Sequence, residues 1–142
     1  MQPMRVEEVR LTMPRHHLSL TEVRRIAASY IEGCIRMHPK YEPQTSFVIA
    51  IFSEDDNGVD VGNSIAMMLP NFITFEVHAL YASNFKDLDA VNGGKSPREV
   101  LESADIIIEL GTHNPELAAM NLKQNRLSVK VIYNEDNYHG DV

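Results

Sequence analysis

The sequence predicts an α/β protein, a three-layer sandwich with a mostly parallel sheet of four to five strands, extended by an N-terminal strand and an amphipathic helix. Three observations predict it. Phe47 to Phe52 and the isoleucine-rich stretch Asp105 to Leu110 are apolar runs of the kind found in strands covered on both faces. Each run gives way to a turn and then to helical spacing, so strands alternate with helices and the crossovers are right-handed. A chain of 142 residues with 44% hydrophobic content is enough for one core.

From the N-terminus, Arg5 to Thr12 is polar with intermittent apolar residues and stops at Pro14, which suits an edge strand. Ser19-Leu20-Thr21-Glu22 is a capping box, and Leu18 with Val23 has the spacing of a hydrophobic staple, so a helix starts here. Leu20, Val23, Ile26, Ala27, Tyr30, Ile31, Cys34 and Ile35 recur at three and four, forming one stripe opposite Arg24, Arg25, Glu32 and Arg36 until Pro39 ends the helix. Residues 1–44 are read as an N-terminal extension and 45–142 as the α/β domain.

Phe47 to Phe52 is expected at the centre of the sheet. Ser53 to Gly62 follows as a polar loop in which Asn57-Gly58 supplies positive-φ turn positions, and a short helix covers Asn63 to Leu69 before Pro70. Ile73 to Leu80 alternates bulky apolar with other residues and is the next strand; Tyr81 to Lys95 is irregular, with Asn92-Gly93-Gly94 as a turn signal. Ser96-Pro97-Arg98-Glu99 is a second capping box, with proline at the first helical position, and its helix delivers the chain into the Asp105 to Leu110 strand. Gly111 permits a sharp exit, Asn114-Pro115 opens a helix through about Gln124, and Ser128 to Tyr133 closes the pattern as a strand.

Charge and cysteine usage narrow the function classes. Thirteen Lys+Arg against twenty Asp+Glu give a formal charge of −7, split as +2 over residues 1–44 and −9 over 45–142. That balance argues against a nucleic-acid binder, which needs basic groups to neutralise phosphates. No apolar run approaches the roughly 18 residues of a membrane span, and the first residues lack the charged-then-apolar pattern of a signal peptide. The sole cysteine, Cys34, cannot form an internal disulfide, so a cytoplasmic setting is expected.

Ligands on parallel sheets sit outside the carboxyl ends of the strands, which makes the loops after residues 52, 80, 110 and 133 the candidate functional edge. Ser53, Asn57, Gly58, Gly62, Asn63, Gly111, Thr112, His113 and Asn134 are the expected ligand-binding residues. The Gly58-x-x-x-Gly62 spacing lacks both the dinucleotide fingerprint and the phosphate-loop signature. Asp55, Asp56 and Asp60, with Glu54, would repel a bare phosphate, so the local charge favours a hydroxyl-bearing ligand or one bridged by a divalent cation. Oxygen-rich clusters of this kind suit magnesium, calcium or manganese, and Glu135, Asp136, Asp141, His113 and His139 could reach the same edge. Against this stands an acidic turn exposed to solvent. His16-His17 reads as an exposed pair, His38 as a helix C-terminal residue favoured by the dipole, His78 as an ordinary strand histidine, Cys34 as a buried inert thiol, and Met67-Met68 as core filler. No nucleophile motif occurs, so the sequence leaves open whether the chain is an enzyme.

Across 47–142 the element order resembles the N-terminal Rossmann-like half of GT-B glycosyltransferases. The opening strand Phe47 to Phe52 leads into a glycine loop and helix; Ala104 to Ile108 matches an Ala-Asp-Ile-Ile-Ile strand; and Val131-Ile132-Tyr133 leads into the polar run Asn134 to Gly140. The resemblance implies a Rossmann-like fold and a half that receives the acceptor, the nucleotide sugar belonging to a second half. Asp60 to Leu69 is similar to the segment after the Asp-x-His-x-x-Gly motif of cobalamin-binding domains, but Val59 and Asn57 stand at the histidine and aspartate positions, which excludes that ligation. Pro70 to Val77 and Gly111 to Val131 resemble NifX-like domains, whose His-Phe-Gly-Arg segment has no equivalent here. The leading expectation is a small-ligand-binding Rossmann-like module of nucleotide-sugar or acceptor-binding type. Two alternatives stand beside it: a noncatalytic assembly subunit that meets a second copy or a partner protein through residues 1–44, and a divalent-metal-dependent enzyme using the acidic 53–60 loop.

Overall fold

A computed structural model describes residues 5–11, 20–38, 41–42, 45–91, 94–111, 117 and 127–133. Its elements are β1 (Arg5–Leu11), α1 (Leu20–Arg36), β2 (Ser46–Ser53), α2 (Asp56–Met67), β3 (Thr74–Tyr81), a 3-10 turn (Ala82–Lys86), α3 (Pro97–Ser103), β4 (Ile106–Leu110) and β5 (Leu127–Tyr133). The five strands form one sheet in the order β1-β5-β4-β2-β3, and every neighbouring pair is parallel.

Alternation along the strands sorts the core into two layers. Phe47, Ile49 and Ile51 of β2, Ile106, Ile108 and Leu110 of β4, and Val129 and Val131 of β5 share one cluster with α1 and α2. Ala50, Phe52 and Ile107 point the other way and pack with Leu80, Val100, Leu101, Ala104 and Leu117. The result is the expected Rossmann-like three-layer sandwich. Burying both faces of β2 and β4 is what makes their sequences read as unbroken apolar runs.

Most of the α1 stripe is used within the chain: Val23, Ala27, Ile31 and Ile35 are fully buried against the sheet and α2, and Cys34 lies with them, whereas Ile26 is exposed. β1 takes an edge position beside β5, as its polar sequence implies. α3 follows its capping box residue by residue, with Ser96 accepting from the Glu99 amide at 3.2 Å and Glu99 reaching back to the Ser96 amide at 3.2 Å. Asp105 locks the start of β4 onto β2: its carboxylate accepts from the Val48 amide and its own amide donates to the Val48 carbonyl, both at 2.9 Å.

Several expectations are corrected. The stretch 53–62 is not a loop followed by a helix from Asn63; only Glu54 and Asp55 separate β2 from α2. The Asn57-Gly58 pair adopts no positive-φ turn, and Gly111, at φ 89°, is the described glycine that does. The two glycines of α2 serve close packing instead: a Cβ on Gly58 would stand 1.9 Å from Ser53 Oγ, and one on Gly62 2.4 Å from Ile51 Cγ2. Met67, the last residue of α2, and Met68, its C-cap, are exposed rather than core filler. His38 lies beyond α1 and packs edge-on against Phe47, with ring centroids 5.4 Å apart. The middle position of the sheet belongs to β4, with β2 beside it.

Candidate functional site

The connections decide where a ligand can enter. β2 leaves through α2 to β3 on one side, whereas β4 leads to β5 on the other, although β2 and β4 are hydrogen-bonded neighbours. The chain therefore parts between their carboxyl ends. In open α/β sheets this switch point is the crevice in which ligands bind.

On the β2 side, Ser53 is buried, and its Oγ accepts from the Asp55 amide at 3.2 Å and donates to the Asp55 carbonyl at 3.0 Å. This tight bend turns the chain into α2. Asp55 is the N-cap, its carboxylate accepting from the Gly58 amide at 2.9 Å. A side-chain acid thus occupies a helix-start donor that would otherwise face an anion, and Asp56 in the first turn adds a second negative group suited to the helix dipole. Gly58 lets α2 settle on β2, and its missing Cβ would also lie 3.4 Å from Leu110 Cβ, so it sits where the two strands part.

On the β4 side, Leu110 is buried, and Gly111 turns out with positive φ while its amide donates to the Val131 carbonyl at 3.1 Å. Tyr81, at the end of β3, donates its hydroxyl to Asp56 Oδ1 at 2.6 Å and ties the edge of the sheet to the start of α2. That bond raises the ionisation of the Tyr81 phenol above its ordinary value, since a carboxylate accepts best from the protonated form.

The structure thus brings Ser53, Gly58 and Gly111 together, with Asp55 and Asp56 on the same rim. Asn57 is exposed in the first turn of α2. Gly62 and Asn63 are elsewhere: six to seven residues into α2, they lie about 10 Å from its start at 1.5 Å per residue. Asp60 is exposed in the second turn, and among the described residues no three His, Cys, Asp or Glu side chains are grouped to hold a metal ion. Thr112, His113, Asn134, Glu135, Asp136, His139 and Asp141 lie outside the described residues, as do His16, His17 and the expected helix 114–124 apart from the buried Leu117.

Two site residues escape the sequence reading. The sequence puts Tyr81 in an irregular segment, whereas β3 ends on it, in keeping with the enrichment of aromatic residues in strands. Glu109 is buried near the end of β4, with Lys130 across from it on β5; the signal was a lone carboxylate inside an isoleucine run.

Comparison of the chain with protein-family models, with curated proteins and with solved structures gives no match. No helix among the described residues is long and apolar enough to cross a membrane.

Proposed function

We propose that the chain is a small-ligand-binding Rossmann-like module whose ligand occupies the crevice between the carboxyl ends of β2 and β4, against Ser53, Gly58 and Gly111. The observation that carries this reading is the coincidence of the switch point with the close packing of Gly58 and the outward turn of Gly111. The start of α2 narrows the ligand class. Because the Asp55 carboxylate holds the Gly58 amide and Asp56 stands beside it, the rim repels an unaccompanied phosphate and offers acceptors to hydroxyl groups. A sugar-like acceptor fits this rim better than the diphosphate of a nucleotide sugar, in keeping with the resemblance to an acceptor-binding half.

The assembly alternative has less support, since most of the α1 stripe that would meet another chain is buried within this one, Ile26 being exposed. The buried position of Cys34 needs no oxidising compartment, which supports a cytoplasmic setting.

A thermal-melt panel of neutral sugars, nucleotide sugars, adenine nucleotides, cobalamin and divalent cations tests the reading. A ligand at about 100 times its dissociation constant adds roughly 2.7 kcal/mol, a rise of several degrees. The expected result is a shift with hydroxyl-rich neutral ligands that is lost in Gly111→Val. A shift confined to divalent cations and abolished by Asp55→Asn/Asp56→Asn would replace this reading with the metal-dependent one.

A further inference from the structure

A concavity lies away from the switch point, on the opposite face from α2, between β3, the 3-10 turn and α3. It measures about 310 Å³, the lower end of the usual range for small-molecule sites, and is lined by His78, Ala79, Leu80, Asn84, Ala90, Lys95, Pro97 and Val100. Five of the eight lining residues are apolar, and the three functional groups are an imidazole, a carboxamide and an ammonium.

Two of those groups, the imidazole and the ammonium, meet at Glu76, which stands two residues before His78 on the same side of β3. Glu76 Oε2 lies 2.8 Å from His78 Nε2 and 4.0 Å from Lys95 Nζ. Both neighbours hold the Glu76 carboxyl below its ordinary value, the His78 hydrogen bond most, so it stays ionised and acts as the acceptor. A neutral His78 must then carry its proton on Nε2, which leaves Nδ1 a lone-pair acceptor. The ring has no other hydrogen-bond partner among the described residues. Lys95, at 4.0 Å from its carboxylate, is beyond a close ion pair and keeps donors unused. Asn84 spends its oxygen on the Tyr81 amide at 2.7 Å, leaving its NH2 as donor.

We infer that this cleft binds a small hydroxycarboxylate, its carboxylate meeting Lys95 and the Asn84 amide, its hydroxyl donating to His78, and its carbon body against Leu80, Pro97 and Val100. A plain carboxylate leaves the imidazole acceptor unmet, and a neutral hydroxyamide leaves the ammonium unmet. The site therefore discriminates by a matched pair of groups instead of by charge alone.

The test is an NMR titration of the full chain, following the His78 imidazole, with lactate, propionate and lactamide as probes. Lactate saturates the His78 shift at or below about 50 mM, the weak range natural for so small a ligand. Propionate and lactamide bind about tenfold or more weakly, the effect of losing one charge-assisted or well-placed hydrogen bond. Lys95→Met, an exposed change that leaves the core untouched, lowers lactate affinity by a similar factor, while Arg25→Gln, an exposed change on α1 across the sheet, leaves it unchanged. A shift that stays linear in lactate, equal response to all three probes, or unchanged lactate affinity in Lys95→Met overturns the proposal.

Discussion

Gly58→Ala puts the packing behind the crevice to a direct test. The new Cβ would stand 1.9 Å from Ser53 Oγ and 2.7 Å from Ser53 Cβ. Rotating the hydroxyl relieves the first contact but sacrifices its two bonds to Asp55, each worth about 1 kcal/mol. The second contact is with an atom fixed to the backbone of buried β2, so α2 must lift away. Overpacking of this kind costs about 1–3 kcal/mol, against a gain of about 1 kcal/mol in helix propensity. With the two lost hydroxyl bonds included, the net expectation is a loss of about 2–4 kcal/mol. Gly33→Ala is the matched control: it also lies within a helix, but nothing stands within 4 Å of its added Cβ, so the same replacement should stabilise by about 1 kcal/mol. Urea unfolding with unchanged slope reads both. A Gly58→Ala protein as stable as the parent would refute the claim that α2 lies in close contact with β2 at this point.

Other expectations follow from single contacts. Asp105→Ala leaves the Val48 amide without its carboxylate partner and should cost about 1–3 kcal/mol in denaturant unfolding, with Asp105→Asn, which keeps an acceptor oxygen, milder. Asp55→Ala removes the α2 cap, costing about 1 kcal/mol, and releases the Gly58 amide; phosphate affinity measured by calorimetry should rise. Glu76 has its ionisation held below the ordinary value of 4.5 by His78 and Lys95, so its contribution is complete above that value and fades as pH falls through the lowered one. Melting temperature followed on acidification should therefore drop less steeply in Glu76→Gln. Tyr81 should ionise above the ordinary 10.0 in ultraviolet titration and move back toward it in Asp56→Asn.

Much of the fold was legible because local chemistry and tertiary burial agree. The runs at 47–52 and 106–110 are buried on both faces, and Ser96 and Glu99 cap α3 as their spacing implies. The start of α2 reads as a turn in the sequence because there they disagree. Asp55-Asp56-Asn57-Gly58 has the composition of a turn, and glycine is a poor helix former, yet Gly58 and Gly62 are required there by Ser53 and Ile51, residues that no local window weighs against them. The signal was available in Val59, Gly62, Ile65, Ala66 and Leu69, which recur at three and four once glycine counts as a contact position. The candidate site was legible as an edge, since parallel strands put their carboxyl ends together. Its location between β2 and β4 was not, because strand order depends on pairing and leaves no mark on the strands themselves.

The most direct measurement is a map of backbone amide shifts during titration with the neutral sugar that gives the largest rise in melting temperature. Saturable changes are expected to centre on Ser53, Gly58 and Gly111, which come from the end of β2, the start of α2 and the exit of β4 and meet at the switch point. Saturable changes that spare all three and gather elsewhere on the molecule would contradict the proposed site.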